Sequence, residues 1–178
     1  MKRPDVREFV EKMEKLSDAY DKIPTLVATT AVNFSKERFV RQNWFDKKEV
    51  PWKQRRVRRA GGRRRSQTLL VDSGRLKRSI RKISVTKNKI IIGTDVPYAA
   101  IHNEGGTVSE NVTVRTHTRR THTRKRSGRK EIVKSHIVNA HSRRMNLRIP
   151  KRQFIGNSAE LTRRIEVLVT DIFHNALK

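Results

Sequence analysis

The chain has 178 residues, of which 34% are hydrophobic, and its 43 Lys and Arg against 17 Asp and Glu give a formal net charge of +26. This length suits one domain with a small core and extensions, and the charge predicts an acidic partner, whether nucleic acid, protein or an anionic membrane. Cys is absent, which excludes disulfides and thiolate chemistry, and no apolar run approaches the ~20 residues of a membrane-spanning helix.

Two helices are predicted at the N-terminus. Ile23 and Pro24 are expected to end the first helix and begin the second, because Pro favours the first turn of a helix. The second helix then runs to about Asn43. The apolar residues of the first helix recur at helical spacing, and they are Val6, Phe9, Val10, Met13, Leu16 and Tyr20.

Residues 46–68 lose apolar periodicity and accumulate like charges, which predicts an exposed basic loop. A loop of this length is uncommon unless it has a function or is disordered. Its candidate residues for contact with DNA or a partner are Arg55, Arg56, Arg58, Arg59, Arg63, Arg64 and Arg65.

The middle of the chain predicts short helices around a β-hairpin. Residues 75–80 read as a helical segment, and the alternation of apolar and polar side chains over residues 83–92 indicates two antiparallel strands. A further helix is expected to begin near Pro97, capped by Thr94 or Asp95 and ended by the Gly-Gly pair that follows it.

Residues 107–148 are predicted to form an inserted basic arm, a hairpin with alternating apolar side chains near its base and none between residues 115 and 130. The sequence Thr-His-Thr-Arg occurs at 116–119 and again at 121–124. A period of five suits neither a helix nor a strand face, so the pattern assigns no structural role to this repeat. The candidate contact residues of the tip are Arg119, Arg120, Arg124, Lys125 and Arg126.

A last helix is expected after Asn157, which serves as its N-cap, with an apolar stripe that begins at Leu161 and ends at Ile172. These elements together predict an α+β fold. A small antiparallel sheet packs with N-terminal helices and a C-terminal helix in a single domain of residues 1–178, from which the basic loop 46–68 and the arm 107–148 extend.

No set of residues predicts an active site. His117 with His122, or His136 with His141, are the candidate metal pairs, but their Lys and Arg neighbours oppose a dication, so we expect no metal and no cofactor. Carboxylates are too sparse for nuclease chemistry, and no phosphate-binding or dinucleotide motif is present. His102, close to a carboxylate in sequence, is interpreted as a structural histidine. We therefore predict that the protein is not an enzyme.

Three stretches resemble the tail-completion, or virion morphogenesis, family of tailed bacteriophages. Residues 69–80 are similar to the family's leucine pair, Ser/Thr-Gly-Arg-Leu and Ser-Ile. Residues 92–106 are similar to its Gly-Thr-Asn-Val-Pro-Tyr-Ala-x-Ile-His-x-x-Gly-Gly block. Residues 149–156 resemble Ile-Pro-x-Arg-Pro-Phe-Leu-Gly, except that Gln153 replaces the usual Pro. The matching residues are Leu70, Gly74, Arg75, Leu76, Gly93, Pro97, Tyr98, Ala99, Ile101, His102, Gly105, Pro150, Phe154 and Gly156.

These motif residues are interpreted as scaffold, with Tyr98 and Ile101 on one helical face in the core. The resemblance implies a structural virion protein that completes the tail at the head–tail junction, or neck, and is required for joining tail to head. It implies assembly in the host cytoplasm as a homo-oligomeric, sixfold ring. The implied partners are the connector or adaptor, the tail terminator and the tail tube.

The alternative is a sequence-independent nucleic-acid-binding protein of ribosomal or chromatin type, which the Arg runs favour. Charge does not distinguish phosphate from carboxylate, so the basic segments have two interpretations, contact with phage DNA or contact with acidic proteins. The strand-like flanks of the arm favour protein contact, and the shorter, glycine-containing loop favours DNA.

Overall fold

In a computed structural model, the described residues are 6–55 and 68–178, without the side chain of Arg126. The chain divides into two compact units, residues 1–105 with 150–178, and residues 106–149. The helices are α1 (Val6–Arg41), α2 (Arg75–Ser79), α3 (Ala99–Glu104) and α4 (Ala159–Leu177). The strands of the first unit are β1 (Asn43–Phe45), β2 (Glu49–Pro51), β3 (Arg81–Val85) and β4 (Ile90–Gly93). The helices and two-stranded antiparallel sheets confirm the predicted α+β class.

The N-terminal region is one helix of 36 residues, so the predicted break at Ile23 and Pro24 is wrong. A proline inside a helix removes one backbone hydrogen bond and costs about 3 kcal/mol. Tertiary contacts lie on both sides of Pro24. Lys87 pairs with Asp21 at 2.7 Å, and the Lys82 ammonium donates to the Thr25 carbonyl at 3.2 Å. The second half of α1 also supplies the helix's buried residues, which begin at Ala28.

Two hairpins accompany α1. β3 pairs with β4 as the alternation predicts, with a bulge between Lys82 and Ser84. β1 pairs with β2, and this second hairpin places Glu49–Pro51 in a strand within the segment that the charge pattern assigns to a loop. Trp52, which follows β2, is also buried rather than exposed. An aromatic side chain among charged residues therefore anchors the beginning of this segment, and its residues 56–67 lie outside the described part.

The core of the first unit joins residues that are far apart in sequence. Phe39 of α1 lies edge-on to Trp52, with ring centroids 5.5 Å apart, and tilted against Phe154 at 5.0 Å. Such aromatic pairs add about 0.5–1.5 kcal/mol beyond the burial of their area. The remaining buried members of the cluster are Val32, Leu69, Leu76, Ile80, Val96 and Ala99.

The start of α3 differs from the sequence prediction, whereas α2 begins at Arg75 as expected. α3 begins after Tyr98, whose side chain makes no capping hydrogen bond, so neither Thr94 nor Asp95 is its cap. Thr94 instead accepts a hydrogen bond from the Val96 amide at 3.2 Å and shares one with the Ser79 hydroxyl at 2.6 Å. α2 begins after Gly74, whose φ of 71° lies in the left-handed region that favours glycine.

α4 begins one residue later than predicted, because Ser158 rather than Asn157 is its N-cap. The Ser158 hydroxyl accepts from the Leu161 amide at 3.1 Å and donates to the Phe45 carbonyl at 2.6 Å. The hydrogen bond to Phe45 connects the start of α4 to β1. It therefore favours Ser158, rather than Asn157, as the N-cap of the helix. Arg164, one and a half turns on, reaches Glu37 of α1 at 2.7 Å, so α4 runs back along α1 from this end.

The Glu160 carboxylate in the first turn of α4 accepts hydrogen bonds from Arg163 and Arg164, which lower its pKa from 4.5 to about 2. Because the pKa is lower in the folded state, the stabilisation is complete above pH 4.5 and is lost as pH falls towards 2. We expect Glu160→Gln to lower the free energy of unfolding by about 1 kcal/mol at pH 7. Urea unfolding at several pH values measures this difference in the free energy of unfolding. A difference between variant and wild type that is the same at pH 2 as at pH 7 would contradict the prediction.

The second unit is a two-stranded ribbon. Its strands are β5 (Gly106–Val114), β6 (His117–Arg119), β7 (His122–Arg126), β8 (Arg129–Val133), β9 (His136–Val138) and β10 (His141–Ile149). β5 pairs with β10, β6 with β9 and β7 with β8, all antiparallel. The outgoing and returning chains therefore pair along the predicted hairpin, with two-residue breaks at matching positions on both sides.

The five-residue repeat does have a structural role, contrary to the sequence interpretation. In each repeat a two-residue break precedes a strand that begins at the histidine, and this strand has three residues in β6 and five in β7. At the breaks, the Thr116 and Thr121 hydroxyls accept from backbone amides of the returning chain at 3.1 Å. Each strand that follows a break begins with a histidine whose Nδ1 lies 2.9–3.1 Å from the carbonyl two residues earlier. These histidines are His117, His122, His136 and His141.

Candidate functional site

The three motif stretches meet in the first unit. Phe154, from the third stretch, is buried in the same cluster as Leu76 from the first and Ala99 from the second. The Trp52 indole donates to the Gln153 carbonyl at 2.9 Å, and the Arg152 guanidinium donates twice to the Lys53 carbonyl, at 2.9 and 3.1 Å. These contacts hold the chain just before the basic segment against the middle of the third motif.

Asn103 connects the second motif to the third, a role that the sequence analysis missed. Its side-chain oxygen accepts from the backbone amides of Phe154 and Ile155, at 2.9 and 3.0 Å. The Arg152 amide also donates to the His102 carbonyl at 2.8 Å. The amides of Phe154 and Ile155 belong to no helix or strand. The single side-chain oxygen of Asn103 accepts from both, and so satisfies backbone donors at a partly buried turn. Its position inside the His-x-x-Gly-Gly motif was the available signal.

The side chain of Gln42 likewise binds backbone groups, here at the first motif, and the sequence pattern did not predict this role. Its side chain accepts from the Leu69 amide at 2.6 Å and donates to the Leu69 carbonyl at 3.1 Å. Both Gln42 and Leu70 have φ of 58°, a conformation that few residues other than glycine adopt. The first motif is therefore held against the end of α1 by an amide side chain.

His102 is half-buried, and burial lowers the pKa of its imidazole, with a further decrease from the nearby Arg152. The ring is therefore neutral at pH 7. Tyr98 lies edge-on to it at 5.9 Å. Tyr98 itself is 41% exposed, so its predicted place in the core is wrong, because it stands before α3 rather than on its buried face. Ile101 is half-buried.

The other motif residues shape the backbone around this cluster. Gly105 has φ of 77° and donates its amide to the Ile101 carbonyl at 3.0 Å, which ends α3. A Cβ at Gly93 would meet the end of the Ile83 side chain at 2.7 Å, so the hairpin packs closely there. In the described residues, no group of three His or carboxylate side chains is placed to hold a metal ion.

The basic residues divide between the two units. Arg55, in the first unit, hydrogen-bonds the Thr68 carbonyl at 3.4 Å, and its charge adds to the effect of burial in lowering the pKa of Arg152. Six of the predicted contact residues lie outside the described part and receive no structural assignment, namely Arg56, Arg58, Arg59, Arg63, Arg64 and Arg65.

The arm brings the remaining contact residues together along one ribbon. Arg119 lies in β6, Arg120 at the second break, and Lys125 lies opposite Lys130 in β7 and β8. Arg124 pairs with Glu131 at 2.9 Å, so part of its charge is compensated. Arg126 lies opposite Arg129 near the turn. Residues 106–149 contain 12 Lys and Arg against two Glu, a net charge of +10, and no Phe, Tyr or Trp; their aromatic rings are the imidazoles of four histidines.

Comparison with known proteins gives one match. The model of the phage virion morphogenesis family matches residues 5–174, nearly the whole chain, and the protein belongs to this family. Neither the curated proteins nor the solved structures contain a match. The described helices include none that is long and apolar enough to cross a membrane. A structural role in the phage virion follows from the family, and the protein interacts there with other virion proteins.

Proposed function

We propose that this protein is the tail-completion protein of a tailed bacteriophage, a non-enzymatic subunit that joins the tail to the head at the neck. The match to the virion morphogenesis family over residues 5–174 carries this proposal. The packing of all three motif stretches around Phe154 supports it, because these residues build a shared buried core, as expected of a scaffold.

The subunit forms a sixfold homo-oligomeric ring between the connector or adaptor and the top of the tail, where the tail terminator and tail tube begin. A small core and a net charge of +26 favour a protein whose order is completed by neighbours. Cyclic symmetry is the usual arrangement of such assemblies.

The two basic segments face different partners in this ring. The run that begins at Arg55 faces the DNA in the channel, since contacts to phosphate require positive charge and no base-reading element. The arm contacts acidic protein surfaces, because its paired strands offer side chains on two faces and backbone groups on two edges. Its lack of Phe, Tyr and Trp disfavours a role in base recognition.

Removal of this protein from the phage is expected to block assembly at one step. Lysates of a phage with a nonsense codon in this gene should contain DNA-filled heads and complete tails that are not joined. Purified protein added to such a lysate should restore infectious particles, while heat-unfolded protein should not. Electron microscopy and plaque titre provide the two readouts. Joined, infectious particles in the absence of the protein would show that the assignment to tail completion is incorrect.

A further inference from the structure

The first half of α1 carries an apolar face that the rest of the first unit does not cover. All buried residues of this helix lie between Ala28 and Phe39. We call this uncovered face the α1 stripe. The exposed fraction is 74% for Val6, 63% for Phe9 and 50% for Met13. The α1 stripe spans about 21 Å at 1.5 Å per residue. The residues of the α1 stripe are Val6, Phe9, Val10, Met13, Leu16 and Tyr20.

An acidic row borders the α1 stripe. Residues at i, i+3, i+7 and i+10 share one side of a helix, and this acidic row consists of Glu11, Glu14, Asp18 and Asp21. Residues 8–21 contain five of the 17 acidic side chains of the protein and only two basic ones. The stripe and its border are therefore unsuited to DNA and suited to a basic protein surface.

The arm has an apolar face of its own at its base. Strand alternation and the pairing of β5 with β10 place six apolar side chains on one face. Of these, Val108 is 40% exposed, Met145 39% and Leu147 53%. The segment from Val108 to Val114 spans about 20 Å, close to the length of the α1 stripe. The residues of this ribbon face are Val108, Val112, Val114, Met145, Leu147 and Ile149.

The ribbon needs a partner surface. None of the described side chains of residues 106–149 is buried. Isolated two-stranded hairpins are at best marginally stable in water, and they gain stability when an apolar face packs against a helix or a third strand. The ribbon face also carries Arg143, directly opposite Val112, and Glu110, directly opposite Met145, so the positive charge of the arm comes from its other positions.

We propose that the ribbon face of one copy packs on the α1 stripe of the neighbouring copy. The two surfaces match in length and in apolar character, and the arm, with its charge of +10, meets the most acidic part of the chain. A closed ring of more than two subunits requires each subunit to use two different surfaces, and this contact joins two different surfaces. Pairing of two α1 stripes would instead give a two-fold dimer. The inference rests on the proposed ring and identifies the contact that closes it.

Mixing two full-length variants tests this contact. The stripe variant is Phe9→Gln with Met13→Gln, which keeps residues that favour helices. The ribbon variant is Met145→Thr with Leu147→Thr, which keeps residues that favour strands. Matched controls change polar positions of the same elements without changing their charge, Lys15→Arg with Lys22→Arg and Thr107→Ser with Ser142→Thr. Circular dichroism should show all four folded, since these side chains are exposed or polar.

Native mass spectrometry and sedimentation velocity are the measurements. Wild type and controls should associate in a concentration-dependent manner, and each test variant alone should associate at least about tenfold more weakly. Mixed one to one, the test variants should form a heterodimer and nothing larger, because one intact ribbon face meets one intact stripe. A monomeric wild type, a stripe variant that associates normally, or a mixture without heterodimer would overturn the proposal. Presence of the protein in the neck is a separate outcome, so failure here leaves tail completion intact.

Discussion

Replacement of Phe154 by Ala is expected to lower the free energy of unfolding by about 3–5 kcal/mol, the usual range for removal of a fully buried aromatic ring. Phe154 is 1% exposed and packs against Phe39 at 5.0 Å between ring centroids. It also lies at the place where all three motif stretches meet. Since small domains are stable by only about 5–15 kcal/mol, this loss removes a large part of the stability of the fold. Urea unfolding followed by circular dichroism measures the loss.

Val167→Ala is the matched control, because Val167 lies in α4 and is 48% exposed. We expect this control to change the free energy of unfolding by less than about 1 kcal/mol. If Phe154→Ala costs no more than the control, the three motifs do not share a core, and their scaffold interpretation fails.

Replacement of Asn103 by Leu is expected to cost about 2–3 kcal/mol, although the new side chain has a similar size. The change removes the acceptor for the amides of Phe154 and Ile155, and an unsatisfied, partly buried amide costs about 1–3 kcal/mol. Asn103→Asp retains an oxygen at this position that accepts hydrogen bonds from both amides, so it should remain within about 1 kcal/mol of wild type.

Urea unfolding of the two Asn103 variants separates hydrogen bonding from side-chain packing. The account predicts a clear difference between Leu and Asp at this position. Equal destabilisation by both substitutions would indicate that the side-chain oxygen contributes nothing and that the turn of the third motif is held by other contacts.

Local patterns in the sequence predicted the elements whose neighbours are close in the chain. The β3–β4 hairpin follows from alternation, and the apolar stripe of α4 follows from helical spacing. The break at Pro24 was wrongly predicted because the cost of a proline is local, whereas the contacts of the helix, from Lys82, Lys87 and the core beyond Ala28, involve residues that are distant in sequence. No local rule reports contacts of this kind.

The same limit applies to the candidate site. The motif residues were identified from resemblance, yet Asn103 and Gln42, which hold the motifs together, were missed because their partners lie 51 and 27 residues away. The Thr-His repeat of the arm had no meaning until the register of two strands was known. Its threonines hydrogen-bond across the ribbon, to Ser135 and Ala140. Net charge, in turn, predicted that a partner exists but not its chemistry.

A cryo-EM reconstruction of the neck of the intact virion tests the central claim most directly. The account predicts a ring of six copies of this chain between the connector and the top of the tail, in which density for the α1–α4 pair and the core around Phe154 is resolved in each copy. A neck without this chain, or a virion that contains it only as a single copy outside the neck, would contradict the assignment.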